Sequence, residues 1–195
     1  MAEFQPRRIM GAWRSGYALD LHTLSSEYVG DDEFGRPRFE TRRSELGELL
    51  YRLKYGKDQS VVAEIADAAA RFLTQRKPPV DVLVPIPASN PRPVQPVRLL
   101  AAAISERIGI PLAECVTRKK DVPQLKDVLD LDARTELLEG AHLIDAAATS
   151  GKRILLFDDL YRSGATMNAI TRELYDSGKA AEVFALTITR TRSNQ

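Results

Sequence analysis

The chemistry of this chain is concentrated in the run Arg153-Ile154-Leu155-Leu156-Phe157-Asp158-Asp159-Leu160-Tyr161-Arg162-Ser163-Gly164-Ala165-Thr166. An apolar strand ends in two adjacent carboxylates. A short turn with two hydroxyls and a glycine then opens into a helix. Carboxylates accept from ribose hydroxyls or face a metal, and hydroxyls, free backbone N–H groups and a helix N-terminus hold a phosphate. The combination suits a sugar phosphate. If the strand continues through Asp158 and Asp159, alternation sends their side chains to opposite faces. An acidic strand end alone is ordinary in sheets; the hydroxyl–glycine turn at a strand-to-helix junction turns the reading towards a ligand site.

Two further stretches are distinctive. Pro85-Ile86-Pro87-Ala88-Ser89-Asn90-Pro91-Arg92 follows a buried strand, and its prolines fix the path of the chain. Ala88, Ser89 and Asn90 could offer donors to a second phosphate, with a plain proline-rich turn as the alternative. Arg118-Lys119-Lys120-Asp121-Val122-Pro123-Gln124-Leu125-Lys126 is too polar for core. It reads either as a basic loop closing over an anionic substrate or as a solvated surface loop. Lys54 and Tyr55 are weaker functional candidates. Trp13, Tyr17 and Phe34 fit a small satellite core better than a base-stacking platform.

The elements that must position these residues alternate. Apolar spacing predicts helices over 41–55 (Leu46, Leu49, Leu50, Leu53 on one face, Gly56 as its end), 60–75, 94–108 and 165–177, the last capped by Gly178. Strands are predicted at 80–86, 112–116, 154–157 and 183–189, and one or two helical turns at 132–139. Near-continuous apolar strands between helices predict an α/β fold, a mostly parallel central sheet with helices on both faces. Residues 9–45 read as short strands or a hairpin with loops. The expected division is an N-terminal hood or extension over 1–45 packed on a core over 46–195.

With 195 residues, 44% hydrophobic and 28% charged, the chain is long enough for one substantial core, and a net charge of +1 does not indicate a globally basic nucleic-acid binder. The single cysteine, Cys115, excludes an intramolecular disulfide and argues for a core position. His22 and His142 are too far apart in sequence to suggest a dedicated metal cage. No signal peptide and no run of 18 apolar residues is visible, so the expectation is a cytoplasmic chain without a membrane partner.

Residues 153–166 resemble the diphosphate-sugar signature of type I phosphoribosyltransferases: an apolar strand, Asp-Asp, then Thr/Ser-Gly-x-Thr. Residues 50–56, 81–87 and 118–125 extend the resemblance to the ComF-like, competence-protein-like branch. The resemblance implies a type I phosphoribosyltransferase-like fold. It also implies that Asp158 and Asp159 bind the ribose hydroxyls of phosphoribosyl pyrophosphate (PRPP), that both face Mg²⁺, and that Asp159 could assist in proton handling. Arg162, Ser163, Gly164, Ala165 and Thr166 would cradle the 5-phosphate. Pro87, Ala88, Ser89 and Asn90 would form the pyrophosphate loop, often with a non-proline cis peptide in the family. Residues 118–125, with Lys119 and Lys120, would be a flexible catalytic loop. Residues 9–45, with Tyr17 or Trp13, would recognise the acceptor base. Position 162 is Arg where Thr is common. Position 163 is Ser where the family has Thr. The Arg-Gly-Phe-Asn-Gln stretch usual after Pro87 survives only in fragments, and the N-terminal cysteine zinc finger of many ComF-like proteins is absent.

The implied reaction is attack of a nitrogen nucleophile on the anomeric carbon of PRPP with release of magnesium-bound pyrophosphate. The protein would position and electrostatically stabilise, without a covalent nucleophile. The alternatives are a non-enzymatic PRPP- or nucleotide-binding regulator and a competence-type DNA-handling protein. The latter requires a basic stripe with exposed aromatics to meet single-stranded DNA. The acceptor base stays open. A homodimer is the assembly common among proteins resembling this one.

Overall fold

The computed structural model describes residues 2–88, 95–119 and 140–192. A five-stranded sheet has the order β1-β2-β9-β8-β5, built from β1 (Arg7–Arg8), β2 (Ser15–Leu21), β5 (Val82–Pro85), β8 (Arg153–Tyr161) and β9 (Glu182–Arg190). All neighbours are parallel except β1, which runs antiparallel to β2. Strands β3 (Thr23–Asp31) and β4 (Pro37–Arg43) form a separate antiparallel hairpin, and β6 (Val116–Arg118) pairs with β7 (His142–Ile144). Helices flank the central sheet on both faces: the fold is the type I phosphoribosyltransferase-like α/β fold.

On one face, α1 (Glu45–Tyr55), α2 (Val62–Arg76) and α3 (Pro96–Ile108) pack on Leu155, Phe157, Phe184, Leu186 and Ile188. On the other, α5 (Ala165–Asp176) lays Met167, Ile170 and Leu174 on Ile154, Leu156, Val183 and Ala185. A four-residue helix α4 (Ala146–Thr149) precedes β8. Val82, Leu83, Val84 and residues 154–157 are all buried, which is why these strands read as unbroken apolar runs. Cys115 is buried, as its apolar setting predicts.

Several boundaries differ from the sequence expectations, for local reasons. The helix expected from 41 starts at Glu45, because residues 41–43 pair with β3 and the Ser44 hydroxyl caps α1 by accepting from the Gly47 amide at 3.0 Å. The strand expected at 112–116 is displaced: Leu112 makes only an isolated bridge to Leu83, and regular pairing begins at Val116. Gly178 is not the C-cap of α5. That place is held by Ser177, and the left-handed backbone falls on Lys179 (φ 51). Gly178 is needed for close approach, since a Cβ there would lie 2.7 Å from Leu174 O. The helical turns expected at 132–139 lie outside the described residues.

Residues 1–45 do not all stand apart from the core. β2 inserts beside β9 in parallel register, from Ser15↔Phe184 to Leu21↔Arg190. Gly47 lets α1 approach the end of β2 closely, since a Cβ would meet His22 O at 2.2 Å.

Candidate functional site

Strand β8 runs through both carboxylates to Tyr161, so Asp158 and Asp159 do alternate. Asp158 is in register with Thr187 on the face that carries Leu156 and α5. Asp159 turns to the opposite face, where Lys54 from the last turn of α1 meets it. The Lys54 Nζ lies 2.9 Å from Oδ1 and 2.8 Å from Oδ2 of Asp159. This ion pair is largely buried, with side-chain exposures of 19% for Lys54 and 8% for Asp159.

Asp158 has no such partner among the described residues. Its Oδ1 accepts from the Asp159 amide at 2.8 Å. Close surroundings push its pKa well above the usual carboxylate value, and the adjacent Asp159 charge pushes the same way, opposed by Lys54 and Arg162.

The turn after β8 is held from the side. The Tyr161 hydroxyl donates to Met10 O at 3.1 Å, and its ring meets Trp13 edge-on at 6.2 Å between centroids. Gly164 sits at φ +78, where a Cβ would lie 2.7 Å from the Tyr161 hydroxyl, so both backbone and packing demand glycine. The Ser163 hydroxyl accepts from the Ala165 amide at 3.4 Å, and the first α5 bond runs from Asn168 N to Gly164 O at 2.8 Å. The amides of Thr166 and Met167 therefore precede the helix's own ladder. Arg162 and Ser163 are exposed, and Thr166 is partly buried. The arrangement is a positive helix end beside two carboxylates.

Pro87 is partly buried and Ala88 exposed after the buried Ile86, whose amide donates to Phe157 O at 2.8 Å. Their chain segment thus leaves the sheet beside the end of β8. No described peptide is cis. Ser89, Asn90 and residues 120–125 of the expected catalytic loop lie outside the described residues, while Arg118 ends β6. Lys119 is exposed, its amide donating to Ala141 O at 2.9 Å. Its charge acts on His142 and Glu173, while the cations acting on Asp158 are Lys54 and Arg162.

Trp13 is buried, with Nε1 donating to Ile9 O at 3.1 Å, and Tyr17 packs on Phe72 at 5.4 Å. Both rings serve as packing. Phe34 instead is 73% exposed in the hairpin turn, against the expectation that it fills a satellite core.

Two residues of the site carried little signal in the sequence. Lys54 lies four residues after the fully buried Leu50, which places its stem beside the apolar stripe of α1; that spacing was the available cue. His22 follows the last residue of β2, its Nδ1 3.2 Å from the buried Thr189 hydroxyl. Burial, then Arg43, Lys54 and Arg162, lower its pKa, while Asp159 opposes them.

Magnesium fits this donor set unequally. Among the described residues no three His, Cys, Asp or Glu side chains form a metal cage. Mg²⁺ needs only one or two carboxylates when a phosphate ligand supplies further oxygens. Asp158, a carboxylate with no cation in contact among the described residues, fits that demand. Asp159, with both oxygens on an ammonium, does not fit as a direct ligand.

Comparison with known proteins bears first on the fold. Adenine phosphoribosyltransferase from Trypanosoma brucei, solved with AMP, pyrophosphate and ribose-5-phosphate, superposes on 96% of this chain and 75% of its own with a TM-score of 0.51 and 14% identity. The glutamine PRPP amidotransferase of B. subtilis, complexed with ADP and GMP, gives 0.52 over 80% of this chain and 34% of its own at 18% identity. These likenesses establish the fold. In sequence, the chain is a distant homologue of the competence protein ComFC of Bacillus subtilis, 31% identical over 148 residues, or 74% of this chain. It spans 60% of that relative's length. No family model matches the chain. Among the described residues no helix is long and apolar enough to cross a membrane.

Proposed function

We propose that this protein binds PRPP, or the 5-phosphoribosyl end of a nucleotide, at the end of β8 and uses that site in handling DNA, as a competence-type protein. The observation that carries the reading is the Asp158–Asp159 strand end opening through Gly164 into the free amides of α5. Thr166, Ser163 and Arg162 would hold the 5-phosphate, and the two carboxylates would accept from the ribose hydroxyls. Pro87, Ala88, Ser89 and Asn90 would meet the pyrophosphate end, and Lys119 and Lys120 would stand at the entrance of the closing loop. A bound Mg²⁺, held through Asp158, would offset the charge of the diphosphate.

The hairpin supports the DNA-handling part. Tyr28, Phe34 and Phe39 are exposed at 58%, 73% and 58%. The Arg36 guanidinium lies 5.8 Å from the Phe34 ring centroid, and Arg43 lies 3.8 Å from that of Tyr51. Arg38 and Arg42 are also exposed on β4. Interleaved rings and guanidinium groups of this kind fit single-stranded DNA, stacking bases while neutralising phosphates. The hood is then this hairpin.

The second reading is transfer of ribose-5-phosphate to a nitrogen nucleophile with release of pyrophosphate, favoured by the fold shared with adenine phosphoribosyltransferase. Calorimetric titration of PRPP with Mg²⁺ into the wild type and Asp158→Asn/Asp159→Asn tests the site. Binding lost in a folded variant supports it; no binding by the wild type overturns it. A pyrophosphate-release assay across nucleobases and an oligonucleotide titration then separate transferase from DNA-handling protein.

A further inference from the structure

Asp158 and Asp159 are chemically identical neighbours with different electrostatic surroundings. Asp159 has a resident cation. The Lys54 ammonium contacts both of its oxygens, is itself mostly shielded from water, and projects from the last turn of α1, where the helix end favours a positive charge. Its stem runs from a helix whose Leu50 and Leu53 are fixed in the core, so the ammonium is held rather than tethered loosely. A divalent ion approaching Asp159 would meet this charge at contact distance and would have to expel it. The remaining lone pairs of Asp159 can still accept from neutral hydroxyls. Asp158 has no cation in contact with it among the described residues, Lys54 and Arg162 acting on it only from a distance, and it faces the other side of the sheet.

We infer that Lys54 takes the place of a metal ion on Asp159: it limits the site to one divalent cation, at Asp158, and reserves Asp159 for hydroxyl hydrogen bonds. The inference rests on the reading of this strand end as a sugar-phosphate site. It adds a residue 105 positions away from Asp159 to that site.

Counting bound Mn²⁺ by electron paramagnetic resonance on the full-length chain, with and without ribose 5-phosphate, tests it. Lys54→Met removes the charge at similar length and is expected to bind one more Mn²⁺ per chain than the wild type. Lys54→Arg should return the wild-type count, and Lys54→Met/Asp159→Asn should abolish the extra ion. An unchanged count in folded Lys54→Met overturns the proposal. Should Lys54→Met not fold, the single Asp159→Asn variant decides. It must leave the Mn²⁺ count as in the wild type, and loss of an ion there overturns the proposal. If the wild type fails to bind ribose 5-phosphate, the sugar-phosphate reading falls, while the ion counts without sugar still judge the role of Lys54.

Discussion

Asp159 and Lys54 meet near the end of β8 with both carboxylate oxygens satisfied, whereas His142 and Glu173, on β7 and α5, leave an atom each without a hydrogen-bond partner among the described residues. The His142 Nδ1 and Glu173 Oε2 face each other at 3.9 Å, too far for a hydrogen bond, and both side chains are mostly buried. In the first pair two opposite charges compensate each other. In the second, burial works against ionisation of either member. It lowers the His142 pKa to about 4, helped by Arg118 and Lys119, and raises that of Glu173. Similar residue types thus give a site that keeps its charges and a site that tends to lose them.

The largest expected effect comes from breaking the compensated pair. Lys54→Met leaves Asp159 buried without its cation and should cost about 3–5 kcal/mol of stability, read by urea denaturation. Lys54→Met/Asp159→Asn should regain most of that loss. If the double variant is no more stable than the single, the pair is not coupled and the contrast fails.

Next in size is the turn beside that pair. Gly164→Ala forces a side chain into positive φ and against Tyr161. It should cost about 1–3 kcal/mol and weaken PRPP binding together with it. Tyr161→Phe, which keeps the ring and removes only the bond to Met10 O, should cost about 1 kcal/mol.

Smaller, pH-dependent effects sharpen the comparison. The folded His142 pKa lies below its ordinary 6.5, so the unfolded chain binds more protons between about 4 and 6.5. Stability should fall as pH drops through that window, and His142→Gln should flatten the fall in thermal melts. Glu173, with its pKa raised above 4.5, contributes the opposite slope, so Glu173→Gln should steepen it. Asp158 also has a raised pKa. The folded chain therefore holds its proton above the ordinary 3.8, and this contribution to stability declines as pH rises. Asp158→Asn should accordingly melt higher than wild type at pH 8 and show a smaller difference at pH 4, while losing Mn²⁺. Equal melting differences at both pH values would remove Asp158 from the account.

Residues 153–176 were legible from the sequence because their signals are local. Apolar continuity marks a strand covered on both faces and Gly164 supplies a backbone that other residues resist, although the strand expected to end at Phe157 runs on through Asp158 and Asp159 to Tyr161, carried by its pairing with β9. The alternation of Asp158 and Asp159 followed from the period of two in a strand. The chain before position 45 was less legible. Short strands lack periodicity long enough to place them, and nothing local distinguishes β2, which enters the parallel sheet, from β3 and β4, which pair with each other in a separate hairpin. Trp13 and Tyr17 offered rings that could stack on a base; their packing against Tyr161 and Phe72 is visible only once distant segments meet.

The sequence by itself determined the strand–turn–helix unit, the two layers of helices and the presence of two carboxylates at a sheet end, because hydrophobic period and turn chemistry act over a few residues. Tertiary structure decided that β2 lies beside β9, that Tyr161 supports the turn, and that Lys54 belongs to Asp159 and not to solvent. Those partnerships depend on where packing brings separate elements together, and a charge pair across 105 residues leaves no period in the chain that forms it.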